Sequence, residues 1–307
     1  MTGEGRRGAQ SEEPLIPQAP SPFRSERGRR AVLDFYRGVL AKSPIPLCTR
    51  FVVTSHARTH LIEAGSEHGD VLLLLHGSAS NSATWLGDIP TWSREFRVIA
   101  ADIPGHPGLS EGRPLALSSD ATATWLRDLL DTIGVERVSM VAMSLGGWCA
   151  IDFACRYPGR VKALSLIAPG GLAPSRRSFL FKALPLSLLG NWGSDRVQRL
   201  VFGKVQVPQP VVEFARLVSR HYRPLLEQPR VFGDAELSRL KMPIQFLGGA
   251  KDALTRADAS ARRLARLVPR AEVHLFEDHG HAIIGQTESI LSFLLRSRDA
   301  GLSDSPE

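Results

Sequence analysis

The sequence predicts an α/β fold: a doubly wound, mostly parallel sheet with helices on both faces and one helical insertion. Three observations predict it. Short, continuous apolar runs alternate with helical patterns along most of the chain, the signature of strands buried on both faces and their crossover helices. One such run, Val138 to Ala142, ends in a sharp turn, Met143-Ser144-Leu145-Gly146-Gly147, that leads into a helical pattern from Trp148. The alternation is broken once, over residues 171–239, by a helical, proline-punctuated and basic stretch.

Taken in order, residues 1–30 are rich in Gly, Pro, Ser, Arg and Glu and poor in large apolar residues, so they are expected to be a disordered basic tail whose removal leaves activity unchanged. Ala31 to Ala41 is a short amphipathic helix candidate. Phe51-Val52-Val53 and His60 to Glu63 alternate like a strand pair. Val71 to Leu75 is a buried strand ended by His76-Gly77-Ser78. A helix is expected over Ala83 to Arg94, a strand over Arg97 to Ala101, then a Gly- and Pro-rich loop from Asp102 to Ser110. Ser118 to Ile133 is a helix with Ser118 or Ser119 as cap and Gly134 as stop. After the serine turn and its helix come a strand over Val161 to Ile167 and the insertion, read as a cap or lid. The alternation resumes with a strand at Ile244 to Leu247, a helix at Asp258 to Leu267, a strand at Glu272 to Phe276 and a helix at Ile284 to Arg296. The core is thus 31–170 with 240–298, and 299–307 is a second disordered tail.

Charge and cysteines limit the function classes. The formal net charge is +7. Residues 170–240 hold eleven Lys/Arg against five acids, or +6, and residues 1–30 hold six Arg against four Glu, or +2, leaving −1 elsewhere. A basic excess so local argues against a general nucleic-acid-binding surface. Cys48, Cys149 and Cys155 are odd in number and unpaired in spacing, as for reduced thiols in a cytoplasmic protein. No apolar run suits a signal peptide or a membrane span. Nothing in the sequence sets the oligomeric state.

Ser144 sits at the apex of a strand–turn–helix, which lifts it clear of the sheet beside a helix N-terminus, where backbone N–H groups meet a developing oxyanion. A serine needs a base, and the base needs an orienting carboxylate. In a parallel sheet, side chains that meet come from loops at the strands' C-terminal ends. The loop after strand 272–276 offers His279 and His281; Gly280 frees the backbone before His281, which is chosen as base. The loop after strand 244–247 offers Asp252, while the loop after strand 161–167 holds no carboxylate. The N–H groups of Leu145 and Ser78 are the oxyanion donors. A metal site on His274, His279 and His281 is the competing reading, without a helical HExxH pair behind it. His76 reads as structural, Asp102 as tying its own loop by Asx hydrogen bonds, and Trp85 and Trp125 as packing. His221 and Tyr222 are candidates to line the pocket.

The segments LLLLHGSASNSATW, DIPGHPGLS, VAMSLGGWCA, FLGGAKDAL and DHGHAI, in this order from Val71 to Phe293, resemble the α/β-hydrolase superfamily, in its capped, serine esterase-like branch. Ala142 stands where the family's elbow has its first glycine, and His106-Pro107 lies between Gly105 and Gly108. The resemblance implies a mobile helical lid over 171–239 and no cofactor. The expected activity is cleavage of a carboxylic ester, thioester or lactone through an acyl-enzyme. The small-molecule substrate would be apolar or aromatic, held by cap residues such as Phe179, Phe181, Leu184 and Phe214. Carbon–carbon bond hydrolysis or cofactor-free perhydrolysis would use the same three residues, and a non-catalytic ligand receptor would use the same scaffold.

Overall fold

Ser25 opens the first helix, α1 (Glu26–Leu40), its hydroxyl accepting from the Gly28 N–H at 3.1 Å. In this computed structural model residues 21–303 are described, except 177–192, 194–195, 198–200, 204, 206 and 226. α1 corrects the expectation of a tail reaching residue 30. Its polar face hides an apolar stripe, Val32, Leu33 and Tyr36, that finds partners far along the chain. The expectations for residues 1–20 and 304–307 lie outside the described residues.

A hairpin follows, β1 (Cys48–Val53) and β2 (Ala57–Ala64), antiparallel to one another. β3 (Val71–Leu75) is wholly buried. Its side chains divide with the pleat: Leu73 and Leu75 enter one core, Leu72 and Leu74 the other. The helix expected at Ala83 to Arg94 is instead a 3-10 turn at Ser82–Trp85 and a short α2 (Ile89–Trp92). Gly87 and Pro90 account for the break, since proline suits only a first helical turn.

β4 (Arg97–Ala101) lies between β2 and β3, and a two-residue β5 (Glu111–Gly112), not expected from the sequence, pairs with β2. α3 (Ala121–Thr132), β6 (Val138–Met143), α4 (Leu145–Arg156) and β7 (Val161–Ile167) follow. Between β7 and β8 lie α5 (Gln209–His221) and a short α6 (Asp234–Leu237). β8 (Ile244–Gly249), α7 (Ala257–Leu267), β9 (Glu272–Phe276) and α8 (Thr287–Ser303) complete the chain. α8 starts after Gly285, whose φ of +80° lies in the left-handed region, and runs beyond 298, so residues 299–303 are helical rather than a tail.

The sheet order is β1-β2-β4-β3-β6-β7-β8-β9, parallel from β4 to β9. α3, α4 and α7 cover one face, and α1, α2 and α8 cover the other. The sheet is therefore doubly wound, and β6 lies centrally between β3 and β7. Loops leaving β3, β6, β8 and β9 emerge at the same edge.

Candidate active site

Ser144 has φ 52° and ψ −112°, a left-handed conformation that costs a non-glycine residue about 1–3 kcal/mol. Hydrogen bonds hold it there. Its N–H donates to Ile167 O at 2.9 Å, and its carbonyl accepts from the N–H groups of Trp148 and Gly170, both at 3.1 Å. Helix α4 begins at the next residue, three earlier than the pattern from Trp148 suggested. Gly146 allows this: a Cβ there would stand 2.4 Å from Leu75 O and 2.5 Å from His76 O. The other described non-glycine residues with positive φ, Ala79 and Ala168, also follow strands at this edge, β3 and β7. Among the described residues, this strain gathers around the serine.

The structure brings the three side chains chosen from the sequence into one chain of hydrogen bonds. His281 Nε2 lies 2.9 Å from Ser144 Oγ, and His281 Nδ1 lies 2.8 Å from Asp252 Oδ2. Asp252 also accepts from the Leu254 N–H at 2.7 Å, the Thr255 N–H at 3.1 Å and the Thr255 hydroxyl at 2.5 Å. Burial pushes its pKa up, but these bonds together with the His281 partner outweigh it and hold the carboxyl below its ordinary 3.8. Asp252 is thus a carboxylate with a fixed orientation. The Thr255 anchor went unnoticed in the sequence, although Asp-x-x-Thr is a spacing at which a carboxylate caps its own turn. Gly249 is the other enabling residue: a Cβ there would lie 2.0 Å from Gly280 O, displacing the loop that carries His281. With both ring nitrogens of His281 engaged, the geometry gives no support to the His274, His279 and His281 metal reading. His279 lies in the loop, its carbonyl accepting from the Lys251 N–H at 3.0 Å.

The N–H groups of Ser78 and Leu145 make no hydrogen bond among the described residues. Leu145 opens α4, so its donor has no intrahelical partner. The Ser78 loop abuts the serine, for a Cβ on Gly77 would sit 3.4 Å from Ser144 Cβ. Buried His76 sets that loop. Its Nδ1–H donates to Gly77 O at 2.8 Å, and its Nε2 accepts from the Ile103 N–H at 2.9 Å. Carbonyl and N–H point oppositely in a trans peptide. Fixing the Gly77 carbonyl therefore also fixes the Ser78 N–H. Burial keeps His76 neutral by lowering its pKa, as this bonding pattern requires. Neighbouring His106, lowered by burial to about 3, accepts from the Ala79 N–H at 3.2 Å.

Asp102 does tie its loop, accepting from Leu109 N–H at 2.8 Å, and it reaches further. It also takes hydrogen bonds from Tyr36 Oη at 3.0 Å, Ser82 N–H at 2.9 Å and His60 Nδ1 at 3.0 Å, joining α1, β2 and the loop after β3 beneath the site. His221 and Tyr222 do not line the cleft. The Tyr222 hydroxyl donates to Gly105 O at 2.9 Å, and His221 packs over Gly28 of α1. Trp85 and Trp125 are buried, as packing residues should be.

Above Ser144 and His281 opens a cleft of about 1860 Å³. Leu115, Leu117 and Cys149 from the core line it, with Phe35 and Val39 of α1 and Phe214 of α5. Three exposed large apolar side chains, Val211, Val231 and Ile284, border it too. Phe35 and Val39 fall in the stretch read as an amphipathic helix, Ala31 to Ala41, but nothing local in the sequence shows that its apolar residues face the cleft. Phe179, Phe181 and Leu184 lie outside the described residues. Cys149 is no rival nucleophile: burial drives its pKa far above the usual thiol range. All three cysteines are free thiols.

A model of the alpha/beta hydrolase family matches residues 72–289, from β3 to the start of α8. The chain belongs to this family. It is a hydrolase by that membership and by its relatives. Carboxylesterase YbfK of Bacillus subtilis (strain 168) is 28% identical over 278 residues, covering 85% of this chain and 94% of that one. The crystal structure of carboxylesterase CesB (YbfK) from Bacillus subtilis superposes with a TM-score of 0.79 at 26% identity, over 87% of this chain and 98% of that one. Naproxen esterase (carboxylesterase NP) from the same species superposes with a TM-score of 0.77 at 26% identity, over 90% and 98%. Among the described residues no helix is long and apolar enough to cross a membrane.

Proposed function

We propose that this hydrolase cleaves carboxylic esters through a covalent acyl-enzyme on Ser144. The observation that carries the proposal is the unbroken line from Asp252 through His281 to Ser144, with contacts of 2.8 and 2.9 Å. Its position on an elbow, below an apolar cleft, and the likeness to two carboxylesterases support the same reading.

Ser144 Oγ attacks the ester carbonyl while His281 Nε2 takes its proton. Asp252 holds the imidazole in the tautomer that presents Nε2 as acceptor and favours the imidazolium as it forms. The carbonyl oxygen, now negative, is met by the N–H groups of Ser78 and Leu145. His281 returns the proton to the departing alkoxide, and the alcohol leaves. Water, deprotonated by His281, then attacks the acyl carbon, and the collapse frees the acid and restores Ser144. The segment between β7 and β8, residues 171–239, which carries α5 and α6, acts as the cap over this chemistry.

The test is release of p-nitrophenol from p-nitrophenyl acetate and butyrate, comparing the natural protein with Ser144→Ala. Turnover that falls at least about 10³-fold in the variant is the expected result. Equal rates in the two proteins would overturn the assignment.

A further inference from the structure

Resting on the ester-hydrolase reading, we propose that Phe35 and Phe214 are specificity-determining residues that bind an aromatic ring of the substrate. The first 20 residues of described chain (21–40) thereby become part of the recognition site.

The two rings are 179 residues apart in the chain (214 − 35), Phe35 on α1 and Phe214 on α5. Their centroids are 6.2 Å apart and their planes 27° apart, so they form an offset stacked pair whose faces run nearly parallel. Both are half-buried and both line the cleft that contains Ser144. Such an aromatic pair buries a further rigid ring without freezing rotatable bonds, whereas an alkyl chain of similar bulk must be ordered to lie against it. Offset stacking or edge contact adds to the gain for a ring.

The pair is held from behind. Phe23 bridges Tyr222 in antiparallel fashion, with the Arg24 N–H donating to His221 O and the Arg223 N–H to Pro22 O, both at 2.8 Å. The Phe23 and Tyr222 rings meet edge to face at 5.9 Å. Gly28 lets the helices approach closely, since a Cβ there would lie 2.7 Å from His221 Nδ1. The Tyr36 hydroxyl anchors the next residue of α1 to Asp102, beneath the site. Such framing makes sense for a surface that must stay in one place relative to Ser144. A solvated tail would need none of it.

The experiment compares kcat/KM for aromatic and alkyl esters of similar bulk: benzyl against hexyl acetate for a ring in the alcohol, ethyl phenylacetate against ethyl hexanoate for a ring in the acid. The natural protein favours the aromatic member of one pair. Phe35→Ala and Phe214→Ala each lower that ratio about tenfold, Phe35→Leu lowers it as well, and Phe35→Tyr retains it. Because the rings touch, the double variant loses less than the product of the single losses. Ratios that move less than about twofold in both Phe214→Ala and Phe35→Leu would overturn the proposal, and these two keep the test valid if Phe35→Ala fails to fold. Calorimetric titration of Ser144→Ala with benzyl acetate and ethyl phenylacetate separates this idea from the hydrolytic one. Aromatic binding that weakens on adding Phe214→Ala, in a natural protein that cleaves none of the esters, would sink only the ester-hydrolase reading. Cleavage with unchanged ratios would sink only the role of the aromatic pair.

Discussion

Gly146→Ala adds one methyl group two residues after the serine. The added carbon would meet Leu75 O at 2.4 Å and His76 O at 2.5 Å, both backbone atoms of β3 and its exit. Real Cβ contacts essentially never fall below 3.0 Å, so α4 and β3 must part by at least about half an ångström. Neither side yields cheaply, because β3 is buried and paired on both edges. Overpacking of this kind costs about 1–3 kcal/mol of stability. The effect on catalysis should be larger than that on stability. The clash drives the Leu145 N–H away from the Ser78 N–H, and misplacement approaching 1 Å costs on the order of 10²-fold in rate. We expect kcat for p-nitrophenyl butyrate to fall by one to two orders of magnitude, with KM changed less than about threefold. Gly159→Ala, where a Cβ meets nothing within 4 Å, is the control. A folded Gly146→Ala enzyme with kcat within about threefold of the natural protein would refute the argument that close approach of α4 to β3 sets the two donors.

Further outcomes follow from the same geometry. His76→Ala frees the Gly77–Ser78 peptide and should lower kcat about 10- to 100-fold, less than outright loss of an oxyanion donor, with KM nearly unchanged; an unaltered kcat would show that the loop holds itself. Burial keeps His76 and His106 neutral in the fold, so below their ordinary 6.5 the unfolded chain binds more protons and stability falls with pH. Asp102 and Asp252, both held below 3.8 in the fold, add to the loss below that value. Urea titrations from pH 7 to pH 4 should show this decline, at most about 1.4 kcal/mol per pH unit for each histidine, and His106→Gln should shallow it. Removing residues 1–30 takes away Phe23, the Ser25 cap and the first turn of α1, and should cost about 2–4 kcal/mol in urea unfolding, whereas removing 1–20 tests the tail alone.

How far the sequence could be read depended on how local each cause is. Val71–Leu75, Arg97–Ala101, Val161–Ile167 and Glu272–Phe276 are strands at the expected bounds, since an apolar run between turn residues is a local signal. Ser144, Asp252 and His281 could be selected because strand ends confine the search, and the structure brings their side chains together. What escaped depends on partners distant in the chain. The first turn of α1, Glu26 to Arg30, looks like tail because it is polar and charged, and the partners of the apolar stripe behind it lie far along the chain, on α5, on the sheet and at Asp102, 66 residues beyond Tyr36. Tyr222 looks like a pocket residue until Gly105 and Phe23 occupy it. Likewise Gly87 and Pro90 outweighed the apolar pattern that reads as a single helix over 83–94.

The central claim is that Ser144 is a nucleophile activated by His281. Mass spectrometry after treatment with a fluorophosphonate probe tests it most directly. The account predicts a single adduct, mapped to Ser144, that forms in the natural protein and is suppressed in a folded His281→Ala variant. An unlabelled Ser144, or one labelled equally fast without His281, would contradict it.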